Sequence, residues 1–314
     1  MGDRVEARKL YDEVIEGKTA HLGASHLETL ASKGNLAVLL MESVEKDQAK
    51  RLYEEVIEGK TAQLGASHTS TLDSKGNLAL LLAGTDDMDG AKRLYEEVIE
   101  GETAQLGASH TSTLRTKGNL AALLEDLDEP AAAKHLREEV IESKTAQLGA
   151  THTSTLATKG NLALLLAGTD DTGGAKRLYE AVIEGETAQL GATHTSTLET
   201  KNNLAGLLLG TDDMDGAKRL YLEVIEGKTA QLGASHTSTL TTKANLGKLL
   251  MEKGQIAESK VVMEEVAAGF LQQLGADHRS TRMYQGGVAH LSAMLATRNE
   301  PASRCLTHSV LELH

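Results

Sequence analysis

Tryptophan is missing from this 314-residue chain, phenylalanine occurs once, and aromatic residues make up only 2% of it. Proteins that hold single-stranded nucleic acid stack its bases on aromatic rings, and no such platform is available here. Basic residues are also short, 32 Lys and Arg against 45 Asp and Glu, for a formal charge of −13. That balance excludes the cationic surface that a phosphate backbone requires. One cysteine, Cys305, rules out an intramolecular disulfide and fits a reducing compartment such as the cytoplasm. Two prolines leave little to interrupt a helix. No apolar run approaches the ~20 residues of a membrane span, so no membrane partner is expected. The charged start "MGDRVEARKLYDEV" has no signal-peptide core, and Glu6 stands where a myristoylation signal needs Ser or Thr.

What the chain has is leucine, alanine and repetition. His26, His68, His110, His152, His194, His236 and His278 recur every 42 residues with no insertion or deletion. "LGASHTSTLDSKGNLALLL" (64–82) returns nearly unchanged in the following units. Such a period predicts structurally equivalent units, none of which buries both its faces alone. Each reads as two helices. The first covers about Thr69 to Ala83, opening at the cap-rich "HTST" and carrying Leu72, Leu78, Ala79, Leu81 and Leu82. The second covers about Asp89 to Leu106, with Ala91, Leu94, Tyr95, Val98 and Ile99 on one face and Gly107 as its stop. Gly101 inside it marks either a close approach of two backbones or local looseness. The expected fold is therefore all-α, an α-solenoid of tandem antiparallel helix pairs in one array over 1–314. A half-repeat (1–26), with a second-type helix at Glu6–Leu22, precedes six full repeats (27–278). A degenerate capping repeat (279–314) follows, in which Gly287 replaces the repeated Asn and Pro301 stands near the start of its second helix. A chain opening in mid-unit suggests a fragment, or a gene that begins within the array.

With this register the chain resembles the tetratricopeptide repeat, in the 42-residue form of kinesin light chains. The residues that carry the likeness are "TLDSKGNLALLL" (Thr71–Leu82), "AKRLYEEVI" (Ala91–Ile99) and "LGASH" (Leu106–His110). The resemblance implies a right-handed superhelix with the first helices lining a concave groove. It extends to the repeat and not to motor function, since the heptad region that binds the motor heavy chain is missing. The family's Asn-Asn pair survives only at Asn202–Asn203. It also implies that Asn35, Asn77, Asn119, Asn161, Asn203 and Asn245 face the groove and grip an extended peptide. A carboxamide both donates and accepts, as a peptide unit does. Those residues could equally serve packing between helices.

Four residues before each Asn lies a changing position: Ala31, Asp73, Arg115, Ala157, Glu199, Thr241. Three after it lies another: Val38, Leu80, Ala122, Leu164, Gly206, Lys248. These spacings put all three sites on one helical face. Either that face drifts freely in solvent, with Asp73 and Glu199 completing capping boxes at Ser70 and Ser196, or its rungs differ in what they contact. The candidate peptide-binding set is thus the six asparagines with Asp73, Arg115, Glu199, Leu80, Leu164 and Lys248. The repeated Lys33, Lys75, Lys117, Lys159, Lys201 and Lys243 either add positive charge to the groove or run from packed stems to solvent.

Histidines one repeat apart are too distant to share a metal ion and instead suit helix starts. "TDDMDGAKRLYE" (Thr85–Glu96) mimics a calcium loop but lacks its first ligand. No nucleophile elbow, phosphate loop or dinucleotide fingerprint appears, and Cys305 with His308 reads as a surface pair. A non-enzymatic scaffold for a protein or peptide, without cofactor or metal, is expected. The alternatives are an array that self-associates through its open N-terminal helix, or a regulatory region of a larger signalling protein. Tyr11, Tyr53, Tyr95, Tyr179 and Tyr221 share one core position, which Arg137 interrupts beside Pro130. A weak point is expected there, relieved by restoring Tyr.

Overall fold

The computed structural model describes residues 2–41, 43 and 45–299. Cys305, His308 and Pro301 lie outside them. Among the described residues there are fourteen α-helices. Those of the first type are α2 (Leu27–Met41), α4 (Thr69–Ala83), α6 (Thr111–Asp126), α8 (Thr153–Ala167), α10 (Thr195–Leu209), α12 (Thr237–Glu252) and α14 (Arg279–Asn299). Those of the second type are α1 (Gly2–Leu22), α3 (Lys46–Leu64), α5 (Met88–Leu106), α7 (Pro130–Leu148), α9 (Thr172–Leu190), α11 (Met214–Leu232) and α13 (Ile256–Leu274). The architecture is an α-solenoid of helix pairs. The chain divides into two compact units, Met1–Thr158 and Lys159–His314. In the first, each helix from α1 to α7 packs on the next, and α4 also touches α2 and α6. In the second, α9 to α14 pack in succession and α10 touches α12. First-type helices therefore line up beside one another within each unit.

The turn between pairs is built from "LGASH". Gly107 has φ of 96°, a conformation that any L side chain would strain, and its N–H bonds Thr103 O to close α5. Its carbonyl accepts the Thr113 hydroxyl at 3.0 Å, which ties the turn to the next helix. The histidine then caps that helix. His68 Nδ1 accepts the Ser70 N–H at 3.1 Å, and His26, His110, His152, His194, His236 and His278 repeat the bond at 3.2 Å. This role needs a neutral ring with its proton on Nε2. It also corrects the capping-box expectation. Ser70 and Ser196 are inside their helices, and their N–H groups are taken by His68 and His194, so Asp73 and Glu199 have no cap to complete. His68→Ala is expected to cost about 1 kcal/mol of stability, read from chemical denaturation, because it strips a bond from an otherwise unpaired helix-start N–H.

Asp87 explains the calcium-like loop. Its carboxylate accepts the Gly90 N–H at 3.1 Å and caps α5. At Gly101 the close neighbour is a side chain and not a second backbone. A Cβ there would lie 2.8 Å from Leu72 Cδ2, and Gly59, Gly227 and Gly269 meet Leu30, Leu198 and Leu240 in the same way.

Between pairs, one position, half-buried or buried, alternates in sign. Lys60 donates to Ser74 Oγ at 2.9 Å and Lys144 to Thr158 Oγ1 at 2.9 Å. At the same place Glu102 accepts from Thr116 Oγ1 and Glu186 from Thr200 Oγ1, each at 2.8 Å. The hydroxyl makes the alternation possible, because it accepts from an ammonium and donates to a carboxylate. Burial lowers the pKa of Lys60, Lys144 and Lys228.

Tyr53, Tyr95, Tyr179 and Tyr221 are each 1% exposed, whereas Tyr11 on α1 is half-buried. Arg137 is not the simple gap the row of tyrosines suggests. It is 7% exposed, and its Nε donates to Glu125 Oε1 at 2.6 Å. Glu125 stands where the neighbouring repeats carry Ala83 and Ala167. Two departures from the repeat thus compensate each other across α6 and α7.

Candidate functional site

The asparagine face lies where the 3.6-residue period puts it. In the first unit it carries Ala31, Asn35 and Val38 on α2, Asp73, Asn77 and Leu80 on α4, and Arg115, Asn119 and Ala122 on α6. In the second it carries Asn161 and Leu164 on α8, Glu199, Asn203 and Gly206 on α10, and Thr241, Asn245 and Lys248 on α12. All are exposed except Asn119 and Asn245, which are half-buried. Apolar side chains stand in solvent here: Val38 is 44% exposed, Leu80 45% and Leu164 57%.

Successive rungs reach one another. Arg115 lies 3.9 Å from Asp73, an exposed pair too long for a direct hydrogen bond and worth little to stability. It nevertheless places the changing positions of neighbouring repeats within one ligand contact. Asn119 hydrogen bonds to the Tyr95 hydroxyl, so that rung also serves packing.

Two cavities open on this face. One of about 150 Å³ in the first unit brings together Asp73, Asn77, Leu80, Arg115 and Asn119 with Gly76 and Tyr95. One of about 430 Å³ in the second gathers Leu164, Asn203 and Asn245 with Asn202, Gly206 and Tyr221. Asn35, Asn161, Glu199 and Lys248 share the face but line neither cavity. Sequence reasoning missed the tyrosines, whose rings are core while their hydroxyls reach the cavity. The signal for Asn202 was present in the sequence: its position is Gly or Ala in every other repeat.

Five of the six repeated lysines are held in ion pairs. Lys33, Lys201 and Lys243 pair with Glu55, Glu223 and Glu265 at 2.8 Å, Lys117 with Glu139 at 2.6 Å, and Lys75 with Glu97. Each bond ties a first helix to the second helix of its own pair.

A sequence model of the tetratricopeptide repeat matches residues 71–110, 197–238 and 239–280. These three stretches are tetratricopeptide repeats. Among solved structures the chain is similar to a candidate kinesin light chain of Podosopora anserina with nearly identical TPR-like repeats. That match has 24% identity and a TM-score of 0.61, over 66% of this chain and 98% of the other. It is also similar to BtubC (BKLC) of P. vanneervenii, with 17% identity and a TM-score of 0.64, over 74% and 92% of the two chains. The apo form of RapI follows with 11% identity and a TM-score of 0.58, over 85% and 99%. A search of curated proteins by sequence finds no match. These repeats indicate a protein–protein interaction module, on a fold that is in general non-enzymatic. No helix among the described residues is long and apolar enough to cross a membrane.

Proposed function

We propose that the tetratricopeptide array binds an extended segment of a partner protein along its first-helix face and performs no catalysis. The observation that carries this reading is the face itself: in each unit, exposed carboxamides recur beside exposed aliphatic side chains and cavities. An extended peptide has an N–H and a C=O at every residue for the carboxamides to meet. Side chains at the changing positions then give each rung its own preference. A reducing compartment such as the cytoplasm fits the single cysteine.

Affinity capture followed by mass spectrometry identifies the partner, and a triple variant then tests the face. Asn77→Ala, Asn161→Ala and Asn203→Ala together remove exposed carboxamides while leaving the Asn119–Tyr95 bond intact. The variant is expected to keep its helical circular dichroism and to lose about tenfold or more in affinity, since each lost bond is worth about 1 kcal/mol. Unchanged affinity in the folded variant removes the asparagines from the binding site.

One observation favours a second reading, self-association. On α1, Val14 is 44% exposed, although Val56, its counterpart on α3, is fully buried. Val5 and Leu10 are exposed as well. A partner chain could cover this face. Sedimentation velocity decides: a monomer across the accessible concentration range eliminates that role for α1.

A further inference from the structure

The two cavities share five positions of the repeat, although the second also reaches the preceding pair through Leu164, Ala167 and Tyr179. Gly76, Asn77, Leu80, Tyr95 and Asn119 in the first unit correspond, 126 residues on, to Asn202, Asn203, Gly206, Tyr221 and Asn245 in the second. Among the shared positions, Leu80 gives way to Gly206 and Gly76 to Asn202. The other repeats carry Val38, Ala122, Leu164 and Lys248 at the position of Gly206, so only this rung lacks a side chain. A Cβ added to Gly206 would meet nothing closer than the Tyr221 hydroxyl at 3.7 Å, so no packing contact requires glycine. The neighbouring Asn202 is the second departure. Its Oδ1 is buried without a hydrogen-bond partner, a state that costs stability unless a donor arrives. Both departures line one cavity, in an array whose copies otherwise differ little.

We propose that this cavity, resting on the binding face argued above, is a specificity pocket for a leucine-sized aliphatic side chain of an extended partner segment. Leu164, Ala167 and Leu207 supply apolar walls. Asn202, Asn203 and Asn245 supply amides for the segment's backbone. Charge on the flanks sets the neighbours of that leucine. Glu199 lies one turn before Asn203 on α10. Lys248 lies just beyond Asn245 on α12, with its ammonium 3.9 Å from Glu252, too far for a direct hydrogen bond. The two flanks differ by seven register positions, about 10 Å along the helix axis. They also sit one helix spacing apart, about 8–10 Å. An extended chain covers that diagonal in about four residues at ~3.3 Å each. The segment therefore carries a basic residue two places to one side of its leucine, against Glu199, and an acidic residue two places to the other, against Lys248.

Fluorescence anisotropy with dye-labelled synthetic peptides tests the pocket on the full chain. The probes are GSKALAESG, its reversed sequence GSEALAKSG, and both again with glycine for leucine. One polarity is expected to bind about tenfold or more tightly than its glycine counterpart, as burial of a leucine side chain implies. Gly206→Leu places in the cavity the side chain that Leu80 carries in the first unit and is expected to abolish that preference without changing the circular dichroism. If the peptides bind but Gly206→Leu leaves the leucine preference intact, the pocket is wrong. Asn203→Ala then tells whether the face survives, since it weakens both the leucine and the glycine peptide only if the asparagines bind backbone. If neither polarity binds the wild type, the assignment of this ligand chemistry fails, while partner capture still tests the face itself.

Discussion

Arg137→Tyr alone is expected to lower the melting temperature, and Arg137→Tyr combined with Glu125→Ala to raise it. By repeat logic the single change looks like a repair, since Tyr95 and Tyr179 fill the corresponding core position. The pair with Glu125 reverses that sign. Arg137 is 7% exposed and holds the Glu125 carboxylate through its Nε at 2.6 Å. Removing the guanidinium strands a carboxylate that is only 27% exposed against an incoming ring. Breaking a fully buried pair costs about 3–5 kcal/mol, and partial solvent access to Glu125 brings the expectation to about 2–4 kcal/mol. The double variant rebuilds the apolar arrangement of the second unit, where Ala167 packs against the cluster that holds Tyr179. Replacing a buried pair by packed apolar groups is neutral or stabilising by about 1–4 kcal/mol. Thermal melts of the four proteins of the cycle give the coupling directly. A higher melting temperature for Arg137→Tyr alone would mean that the ion pair contributes nothing.

Most of the fold was legible because the 42-residue period forces equivalence and the helical period marks the apolar faces. The helix bounds of α4 follow from "HTST" and Gly84, and the histidines declared their helix-start role by recurring there. What could not be read was partnership across the chain. Glu125 and Arg137 each look like a defect in their own repeat, and only their 2.6 Å approach shows that they compensate. Likewise Lys60 and Glu102 occupy one position of the repeat with opposite charge, which no periodicity explains until the hydroxyls of Ser74 and Thr116 are seen to meet both. The candidate site was half legible. Spacings of three and four residues placed Asp73, Asn77 and Leu80 on one exposed face. The same spacings could not show that Lys75 leaves that face for Glu97, or that the tyrosine hydroxyls reach it.

Raising the pH is expected to unfold the array between pH 10 and 12, with phenolate formation and helix loss occurring together. Burial pushes Tyr53 and Tyr95 up from the ordinary 10 to about 12, and raises Tyr179 and Tyr221 in the same direction. Above pH 10 an unfolded chain ionises these phenols while the folded one retains their protons. The folded state then binds more protons, so stability falls as pH rises. At about 1.4 kcal/mol per unit of pKa, Tyr53 and Tyr95 alone withdraw on the order of 5 kcal/mol across that window, comparable with the whole stability of a small domain. The lysines between pairs act in the opposite sense at lower pH. Lys60, Lys144 and Lys228 have lowered pKa values, so the unfolded chain binds more protons than the folded one as pH climbs toward 10.5, and stability rises there. Maximum stability should therefore lie on the alkaline side of neutrality, with a steep decline beyond it. The lack of tryptophan makes the measurement clean, because near-ultraviolet phenolate absorbance comes from the six tyrosines alone. Followed beside far-ultraviolet circular dichroism, the two signals should change together, and later in a Tyr53→Phe, Tyr95→Phe variant. Ionisation of all six near pH 10 with the helices intact would show that the tyrosine row is open to water and that the junctions between repeats are packed on something else.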